Sequence, residues 1–230
     1  MLKSLLILSV LATAAVAAEP NSLSPEEKSA GWKLLFDGTS TAGWVGIGKT
    51  EFPAKGWIVE GGTLKHVARG GGGDIVTVEH FDDFELTWEW RLAPGANGGL
   101  KYNLPDPKKG LGCEYQLLDD DKHADAKANA GTRTTGGLYD VLPPATGRKL
   151  HPPGEWNQSR IVVKGNHVEH WLNGAKTVEF EFGSEELKRA VEKSKFKNSA
   201  GWGVKTKSPI LLQDHGDELS FRNLKIRTAR

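Results

Sequence analysis

The segment from Gly154 to Gly174 constrains the fold of this chain more than any other part of the sequence. It predicts two strands, Ser159–Lys164 and His167–Leu172, joined by a tight turn whose Gly and Asn tolerate positive φ. Antiparallel sheet with aromatic and imidazole groups on its faces is typical of sugar-handling proteins, so carbohydrate is the first substrate class indicated. The two faces of the second strand carry His167, Glu169 and Trp171, and Val168, His170 and Leu172.

The same kind of pattern continues on both sides of this segment, with Gly, Pro and Asn between short apolar runs. One convincing helix, Ser184–Ser194, begins with a capping serine and two glutamates at the positive end of its dipole. About a dozen strands and one peripheral helix predict an all-β fold, a two-sheet antiparallel sandwich or jelly roll of the concanavalin A-like or laminin G-like kind. The further predicted strands are Trp32–Phe36, a short piece from Trp44, Trp57–Glu60, Thr63–Val67, Asp74–Thr77, Phe84–Leu92, Gly98–Asn103, Gly112–Leu118, Gly137–Val141, Gly201–Lys205, Ile210–Asp214 and Glu218–Arg227.

The N-terminus predicts an export signal over residues 1–18. Lys3 is followed by an apolar run, Leu5–Val16, that is too short to span a bilayer, and Ala15-Val16-Ala17 fits the small-residue cleavage rule. We expect a polar leader over residues 19–30, which can start a short helix at Ser24, and one domain over residues 31–230. The mature protein is predicted to be periplasmic or extracellular, with no segment that crosses a membrane.

Charge and cysteine content exclude several classes. The formal net charge is +1 and the basic residues are dispersed, so nothing indicates a nucleic-acid partner. Cys113 is the only cysteine, which excludes an internal disulfide and predicts a small buried hydrophobic residue. The eight Trp residues fit either stacking on sugars or plain core packing.

Two predicted strands place acids and bases on their polar faces. Glu89 and Arg91 lie on one, and Glu114 and Gln116 on the other. If these strands are neighbours in a curved sheet, the two carboxylates face one groove, and a pair about 5 or about 6.5–9.5 Å apart would suit glycoside hydrolysis. The alternative is that these groups are solvated or mutually paired charges on an exposed sheet face. His170 is a further candidate, because an imidazole between apolar strand residues must find a partner or stay neutral.

Loops supply the remaining candidates. His215 ends a predicted strand, a common position for site residues at the rim of a sheet. Residues 119–135 form a long polar loop, which is uncommon unless it serves a site. Its segment Asp119–His123 could bind a divalent cation through oxygen atoms, but acidic runs in loops are usually only hydrated, and no metal ligand is assigned. The Gly70–Gly73 run lacks the features of a phosphate loop and is interpreted as a flexible turn.

Nine blocks, taken in order, resemble the 3-keto-disaccharide hydrolase domain family, formerly a domain of unknown function and found in exported bacterial proteins. The resemblance runs from about Gly31 to Arg227. The blocks are L-F-D-G-T-S (35–40), W-I-V-E-G-G-T-L (57–64), F-E-L-T-W-E-W-R (84–91), G-A-N-G-G-L (95–100), G-C-E-Y-Q-L-L-D (112–119), G-G-L-Y-D-V (136–141), P-G-E-W-N (153–157), H-W-L-N-G (170–174) and L-Q-D-H-G-D-E-L-S-F-R-N-L-K-I-R (212–227).

The resemblance implies a concanavalin A-like enzyme that cleaves sugars already oxidised to a ketone at C3. Such a ketone acidifies the C2 proton, so a base can remove it, the C1 oxygen can leave, and water can add. Block 95–100 departs from the family pattern, which puts the floor of the groove in question. The implied catalytic residues are Glu114, Glu89 and His170. The implied substrate-binding residues are Arg91, Gln116, Asp119, Tyr139, Trp156, Gln213, His215 and Arg222.

Two other functions fit a jelly roll. A non-catalytic carbohydrate-binding module would present a Trp-lined groove without an acid–base pair. A conventional endoglucanase would act on plain polysaccharide, but the chain lacks the E-x-D-x-x-E spacing of jelly-roll glucanases.

Overall fold

The computed structural model describes residues 19–229, so the predicted signal segment, residues 1–18, lies outside them. Within the described range there are two α-helices, α1 (Pro25–Ser29) and α2 (Glu185–Glu192), and two 3₁₀ turns, Ala124–Lys127 and Asn129–Gly131. None of these helices is long and apolar enough to span a membrane. The strands are Lys33–Leu34 (β1), Trp44–Gly46 (β2), Trp57–Glu60 (β3), Thr63–His66 (β4), Ile75–Thr77 (β5), Phe84–Leu92 (β6), Asn97–Asp106 (β7), Leu111–Leu118 (β8), Asn157–Lys164 (β9), His167–Leu172 (β10), Ala175–Glu181 (β11), Leu211–Leu212 (β12) and Leu219–Arg227 (β13).

The strands form two antiparallel sheets. The first sheet has the order β11-β10-β9-β6-β13-β4-β3, with β1 paired to β13, and the second has the order β2-β5-β12-β7-β8. The apolar faces of the two sheets pack against each other and form the main core. This confirms the predicted all-β, two-sheet antiparallel fold.

Strand β6 shows how the sequence pattern determines the two sides of a sheet. Trp88 and Trp90 are buried, whereas Glu89, which lies between them, and Arg91, which follows Trp90, face outward. The Trp88 ring meets Tyr115 of β8 edge to face, with 5.0 Å between centroids. Such a pair adds about 0.5–1.5 kcal/mol to the free energy gained by burial. Because Trp88 points toward the second sheet, Glu89 must point away from it.

Two predicted strands are wrong. Residues 137–141 form turns, with Leu138 making only isolated bridges to Tyr115 and Leu142. Positive φ at Asp140 reverses the chain there. Residues 201–205 are also turn, because Gly201 and Gly203 both adopt positive φ.

The predicted leader helix and the predicted α2 are confirmed. Ser24 and Glu27 form a capping box at α1, and Ser184 accepts the Leu187 N–H at the start of α2. The leader is tied to the outer side of the first sheet. There, Asn21 and Asn223 exchange two hydrogen bonds, of 2.5 and 2.8 Å.

Candidate active site

The outward face of the second sheet carries a small polar cavity of about 140 Å³. Glu114 lies on β8, and Lys101 lies opposite it in register on β7. Side-chain alternation directs Glu114 away from the core, whereas Cys113 and Tyr115 on either side of it are buried in the core. The polar residues around the cavity are Asn97, Lys101, Glu114, Tyr139, Lys195, Gln213 and His215.

Glu114 lies at the centre of this group. Its residue is only 6% exposed, and its Oε2 lies 3.7 Å from Lys101 Nζ. The absence of a side chain at Gly99 on β7 leaves room for the carboxylate, because a Cβ there would lie 2.4 Å from Glu114 Oε1. Burial raises the pKa of Glu114, and the positive charges of Lys101 and Lys195 act in the opposite direction. A carboxylate in this setting is a stronger base than one in water.

A second cation reaches the cavity from the loop after α2. The Lys195 N–H donates to Asp140 at 2.7 Å, and its Nζ lies 4.2 Å from the centre of the Tyr139 ring. Burial lowers the pKa of Lys195, while Glu114 and Asp140 act to raise it. Tyr139 donates its hydroxyl proton to Asp125 at 2.8 Å, and burial raises its pKa, which keeps the phenol neutral.

Amide side chains form the wall beside Glu114. Gln116 donates to Asn97 Oδ1 at 3.1 Å, and the other orientation of its amide brings the nitrogen within 3.2 Å of Glu114 Oε1. His215 Nε2 lies 3.4 Å from Asn97 Nδ2. The Oε1 atom of Gln213 is buried and lacks a hydrogen-bond partner within residues 19–229. A buried acceptor without a hydrogen-bond donor costs about 1–3 kcal/mol of folding free energy. A hydroxyl group of a bound ligand could donate to this oxygen and remove that cost.

A charged network continues from the cavity toward β5. The Asp214 N–H donates to Asp74 Oδ1 at 2.9 Å, and Asp214 Oδ1 lies 2.9 Å from His66 Nε2. Burial raises the pKa of Asp74. Burial also acts to raise the pKa of Asp214, but the Gly73 N–H and His66 outweigh it and the pKa is lowered.

Five residues in and beside this cavity were not predicted as site residues from the sequence: Asn97, Lys101, Lys195, Asp74 and His66. Alternation along β7 could have found Lys101, which lies on the same face as Gly99. Lys195 and Asp74 have no comparable signal, because only the tertiary fold brings a loop and a strand end to Glu114.

The expected groove shared by Glu89 and Glu114 is wrong. Strand β6 belongs to the first sheet and β8 to the second, and both carboxylates point away from the core between the sheets. Glu89 accepts hydrogen bonds from Arg222 at 2.6 Å and from Asn223 at 2.8 Å. The alternative of mutually paired charges on an exposed sheet face is confirmed for Glu89.

Three more predicted site residues lie beside Glu89 rather than Glu114. Arg91 and Arg222 approach the ring of Trp156, with guanidinium carbons 4.9 and 4.1 Å from its centroid. These cation–π contacts lie on the outward face of the first sheet. Five of the eight Trp residues are instead buried: Trp44, Trp57, Trp88, Trp90 and Trp202.

His170 lies in the core and not in the cavity, which corrects its expected place among the groove residues. Its Nε2 lies 2.7 Å from the Tyr102 hydroxyl, and the residue is fully buried between the sheets. Burial lowers the pKa of His170 to about 3. The imidazole therefore stays neutral and stabilises packing.

Asp119 stabilises the loop to which it belongs by accepting backbone hydrogen bonds. Its carboxylate accepts the Gly95 N–H at 2.7 Å and the Asp121 N–H at 3.2 Å, while Asp120 pairs with Arg148 at 2.5 Å. These oxygen atoms already have hydrogen-bond and ion-pair partners, which a divalent cation in this segment would have to displace. Asp119 also lines a separate cavity of about 420 Å³, away from Glu114.

One further group of side chains within residues 19–229 has metal-ligand spacing. His167, Glu169 and Glu179 bring ligand atoms within 4.8 Å of one another on the first sheet. Lys176 lies 3.3 Å from Glu169 and 2.6 Å from Glu179, so these acids are already paired.

Comparisons with known proteins agree with this fold and extend over the whole site. The sequence profile of the 3-keto-alpha-glucoside-1,2-lyase-like domain matches residues 31–227. A 3-keto-disaccharide hydrolase from Bacteroides thetaiotaomicron is 32% identical, over 92% of this chain and 83% of the relative.

Two crystal structures from Parabacteroides distasonis, each proposed to be a glycosyl hydrolase, have similar folds. One is 34% identical with a TM-score of 0.82 and covers 92% of this chain and all of its own. The other is 26% identical with a TM-score of 0.65 and covers 86% of this chain and 99% of its own.

Proposed function

This chain belongs to the 3-keto-alpha-glucoside-1,2-lyase-like domain family and is a hydrolase of the glycosidase type; from this we propose that it cleaves 3-keto glycosides or 3-keto-disaccharides at the Glu114 cavity. The observation that carries the proposal is the buried Glu114 carboxylate with Lys101 at 3.7 Å and Lys195 nearby. A base and a cation side by side suit the removal of a proton next to a ketone.

In the proposed first step, Glu114 removes the C2 proton. The electron pair passes to the C3 oxygen as an enolate, and Lys101 and Lys195 stabilise that negative charge. A raised pKa makes Glu114 a better base near neutral pH, which matches this step.

In the second step the enolate collapses. A C1=C2 double bond forms as the C1–O bond breaks, and the departing oxygen takes up a proton. Water then adds at C1 and releases one proton, which replaces the proton that the departing oxygen took up, and Glu114 returns its own proton to C2. The sum is hydrolysis, and Glu114 ends as it began.

The neighbouring amides would bind the sugar. Gln213 offers a buried acceptor without a partner, and Asn97 and Gln116 offer both donors and acceptors beside it. Such groups orient hydroxyls so that the C2–H bond points at Glu114.

The reaction is tested with one substrate pair, a 3-keto-disaccharide and its unoxidised parent. Only the keto sugar has an acidic C2 proton, so we expect free sugar from it and none from the parent. Cleavage of the parent at a similar rate would contradict the elimination route.

We propose that these side chains act without a bound cofactor. The oxygen atoms of Asp119 and Asp120 already accept hydrogen bonds from backbone amides and pair with Arg148, which supports this proposal. Treatment with a chelator should leave turnover unchanged, and a loss restored by a divalent cation would contradict it.

We also propose that the protein is exported, to the periplasm or beyond. The apolar run Leu5–Val16 after Lys3, and the small residues Ala15 and Ala17, support this. Sequencing the mature N-terminus from cell fractions should give a start near Ala18 or Glu19 outside the cytoplasm. An intact Met1 in the cytoplasmic fraction would contradict the proposal.

A further inference from the structure

The Glu114 cavity, at about 140 Å³, is small for a substrate with two sugar rings. Pockets that enclose small organic ligands commonly measure about 300–1,000 Å³. A second hollow, of about 770 Å³, lies against residues 46–55 and 71–74. We call it the outer groove. Its volume is sufficient for a complete sugar residue.

Gly110 lies between the cavity and the outer groove. It lines the cavity, yet a Cβ at this position would lie 2.9 Å from Ile47 Cδ1 and 3.2 Å from Asp74 Oδ2. Ile47 and Asp74 both line the outer groove. Gly110 therefore packs closely against two residues of the outer groove, and the two hollows meet at this position.

The polar side chains along the outer groove are free to bind a ligand. Within residues 19–229, Lys49, Thr50, Glu51 and Lys55 make no side-chain hydrogen bond or ion pair, although all four line the groove. Phe52, which is half-buried, adds an apolar ring beside them. Sugars are bound by such a combination of polar groups and an aromatic ring.

We propose that the outer groove binds the leaving-group sugar of a 3-keto-disaccharide and that Asp74, at its junction with the cavity, protonates the departing glycosidic oxygen. This inference rests on the proposed function. It adds a second subsite and an acid to a site in which Glu114 is the base.

The surroundings of Asp74 fit an acid. Its Oδ1 accepts the Asp214 N–H, while Oδ2 lies against Gly110, where the cavity meets the outer groove. Burial raises its pKa, and the neighbouring charge of Asp214 acts in the same direction. The positive charge of Lys101 acts against it.

The proton balance closes over one cycle. As the C1–O bond breaks, the leaving oxygen takes the Asp74 proton and departs as an alcohol. Asp74 is then a carboxylate and can accept a proton from the water that adds at C1. Glu114 gives its proton back to C2, so both carboxyl groups return to their starting states.

The subsite is tested by Lys49→Ala combined with Thr50→Ala, assayed on a 3-keto-disaccharide and on methyl 3-keto-glucoside. We expect kcat/KM to fall about tenfold on the disaccharide, because hydrogen bonds to the second sugar are lost, and to stay unchanged on the methyl glucoside. Lys188→Ala on α2, outside the groove, is the matched control and should change neither substrate. Equal effects on both substrates, or none, would overturn the subsite.

The acid role is tested by Asp74→Asn on 3-keto-glucosides with methyl and 4-nitrophenyl leaving groups. We expect a loss of about 10²–10⁴-fold on the methyl glucoside and a far smaller loss on the 4-nitrophenyl glucoside, whose leaving group needs no proton. Equal losses on both substrates would overturn the role.

A wild-type series keeps this testable if the variant does not fold. Aryl 3-keto-glucosides should show kcat/KM almost independent of the leaving-group pKa, and a steep dependence would overturn the acid. The methyl and nitrophenyl substrates also separate the two proposals. If the wild-type protein cleaves neither the methyl nor the 4-nitrophenyl 3-keto-glucoside, the proposed function is wrong. If it cleaves both but the variants do not show the expected differences between substrates, only the subsite and the role of its acid are wrong.

Discussion

At the scale of single residues, Glu114 combines poor solvation with the catalytic role that we propose for it. Its carboxylate lies 6% exposed over Gly99, and burial raises its pKa despite Lys101 and Lys195. A folded state that holds this proton more tightly than the unfolded chain is most stable below the ordinary pKa of 4.5. Its stability falls as pH rises from there through the raised pKa.

Glu114→Gln therefore separates stability from activity. Gln keeps the shape and removes the buried negative charge, so the Tm of the variant relative to wild type should increase between about pH 4 and pH 8. Activity should be lost at every pH. The measurement is a series of thermal melts of both proteins. A Tm difference that stays constant with pH, or that shrinks, would contradict the burial of an ionisable Glu114.

The same pKa sets the acid side of the activity profile. The base must be deprotonated to act, so kcat/KM on a 3-keto-disaccharide should rise with pH through a pKa above 4.5. Burial lowers the pKa of Lys195 below its ordinary value of 10.5. On the alkaline side, activity should therefore begin to fall below pH 10.5, as Lys195 loses its positive charge. An acid limb at or below 4.5 would show that another group acts as the base.

His170 gives the opposite sign of pH dependence. Burial lowers its pKa to about 3 from an ordinary 6.5, so the unfolded chain binds the extra proton between these values and stability falls as pH falls through that window. Gln at 170 does not titrate. The stability advantage of wild type over His170→Gln should shrink from about pH 7 to pH 4, while kcat/KM per folded molecule stays similar. A large loss of turnover in His170→Gln would indicate that His170 is a catalytic residue.

At the scale of elements, the pairing of β7 with β8 builds the site. Register places Gly99 opposite Gln116 and Lys101 opposite Glu114, so one strand supplies the space and the cation that the other strand's carboxylate needs. Position 99 faces the cavity with no side chain, and the Glu114 carboxylate fills that space.

Gly99→Ala should displace the carboxylate. The new Cβ would lie 2.4 Å from Glu114 Oε1, and a shift of about 1 Å in a catalytic group costs about 10²-fold in kcat/KM. The same change made in Glu114→Gln should cost little more, because the displaced base is already absent. Equal effects of Gly99→Ala in both backgrounds would mean that it acts through the fold rather than through Glu114.

Much of the element structure could be predicted from the sequence because local patterns decide it. The period-two pattern of 84–92 and the Gly165-Asn166 turn predict β6 and β10 with correct ends, and β9 from Ser159, two residues after its observed start at Asn157. The strand predicted at 137–141 is wrong because this segment is a turn, with positive φ at Asp140, and its apolar residues are buried in that turn conformation. Apolar content indicates burial there but not extension.

At the scale of the whole molecule, the two outward faces of the sandwich differ. The first sheet carries Glu89 paired with Arg222, and the leader residue Asn21 bonds to Asn223 beside them. The second sheet carries Glu114 in a cavity beside the outer groove. We propose that the chemistry belongs to the second sheet and that the first sheet contributes stability.

The sequence could not separate these faces. Alternation shows that Glu89 and Glu114 both point away from the core, but it does not show to which sheet each strand belongs. Sheet membership depends on pairing between β6 and β13 and between β7 and β12, residues that are far apart along the chain. The members contributed by the loop at Lys195 and the strand end at Asp74 depend on the same long-range contacts.

The most direct test compares Glu114→Gln with Glu89→Gln, the same chemical change on opposite faces of the molecule. The measurement is kcat/KM on a 3-keto-disaccharide, with thermal melts to confirm that both variants fold. We predict a loss of about 10²-fold or more for Glu114→Gln and a change within about twofold for Glu89→Gln. Retained activity in Glu114→Gln, or an equal loss in Glu89→Gln, would contradict a site on the second sheet.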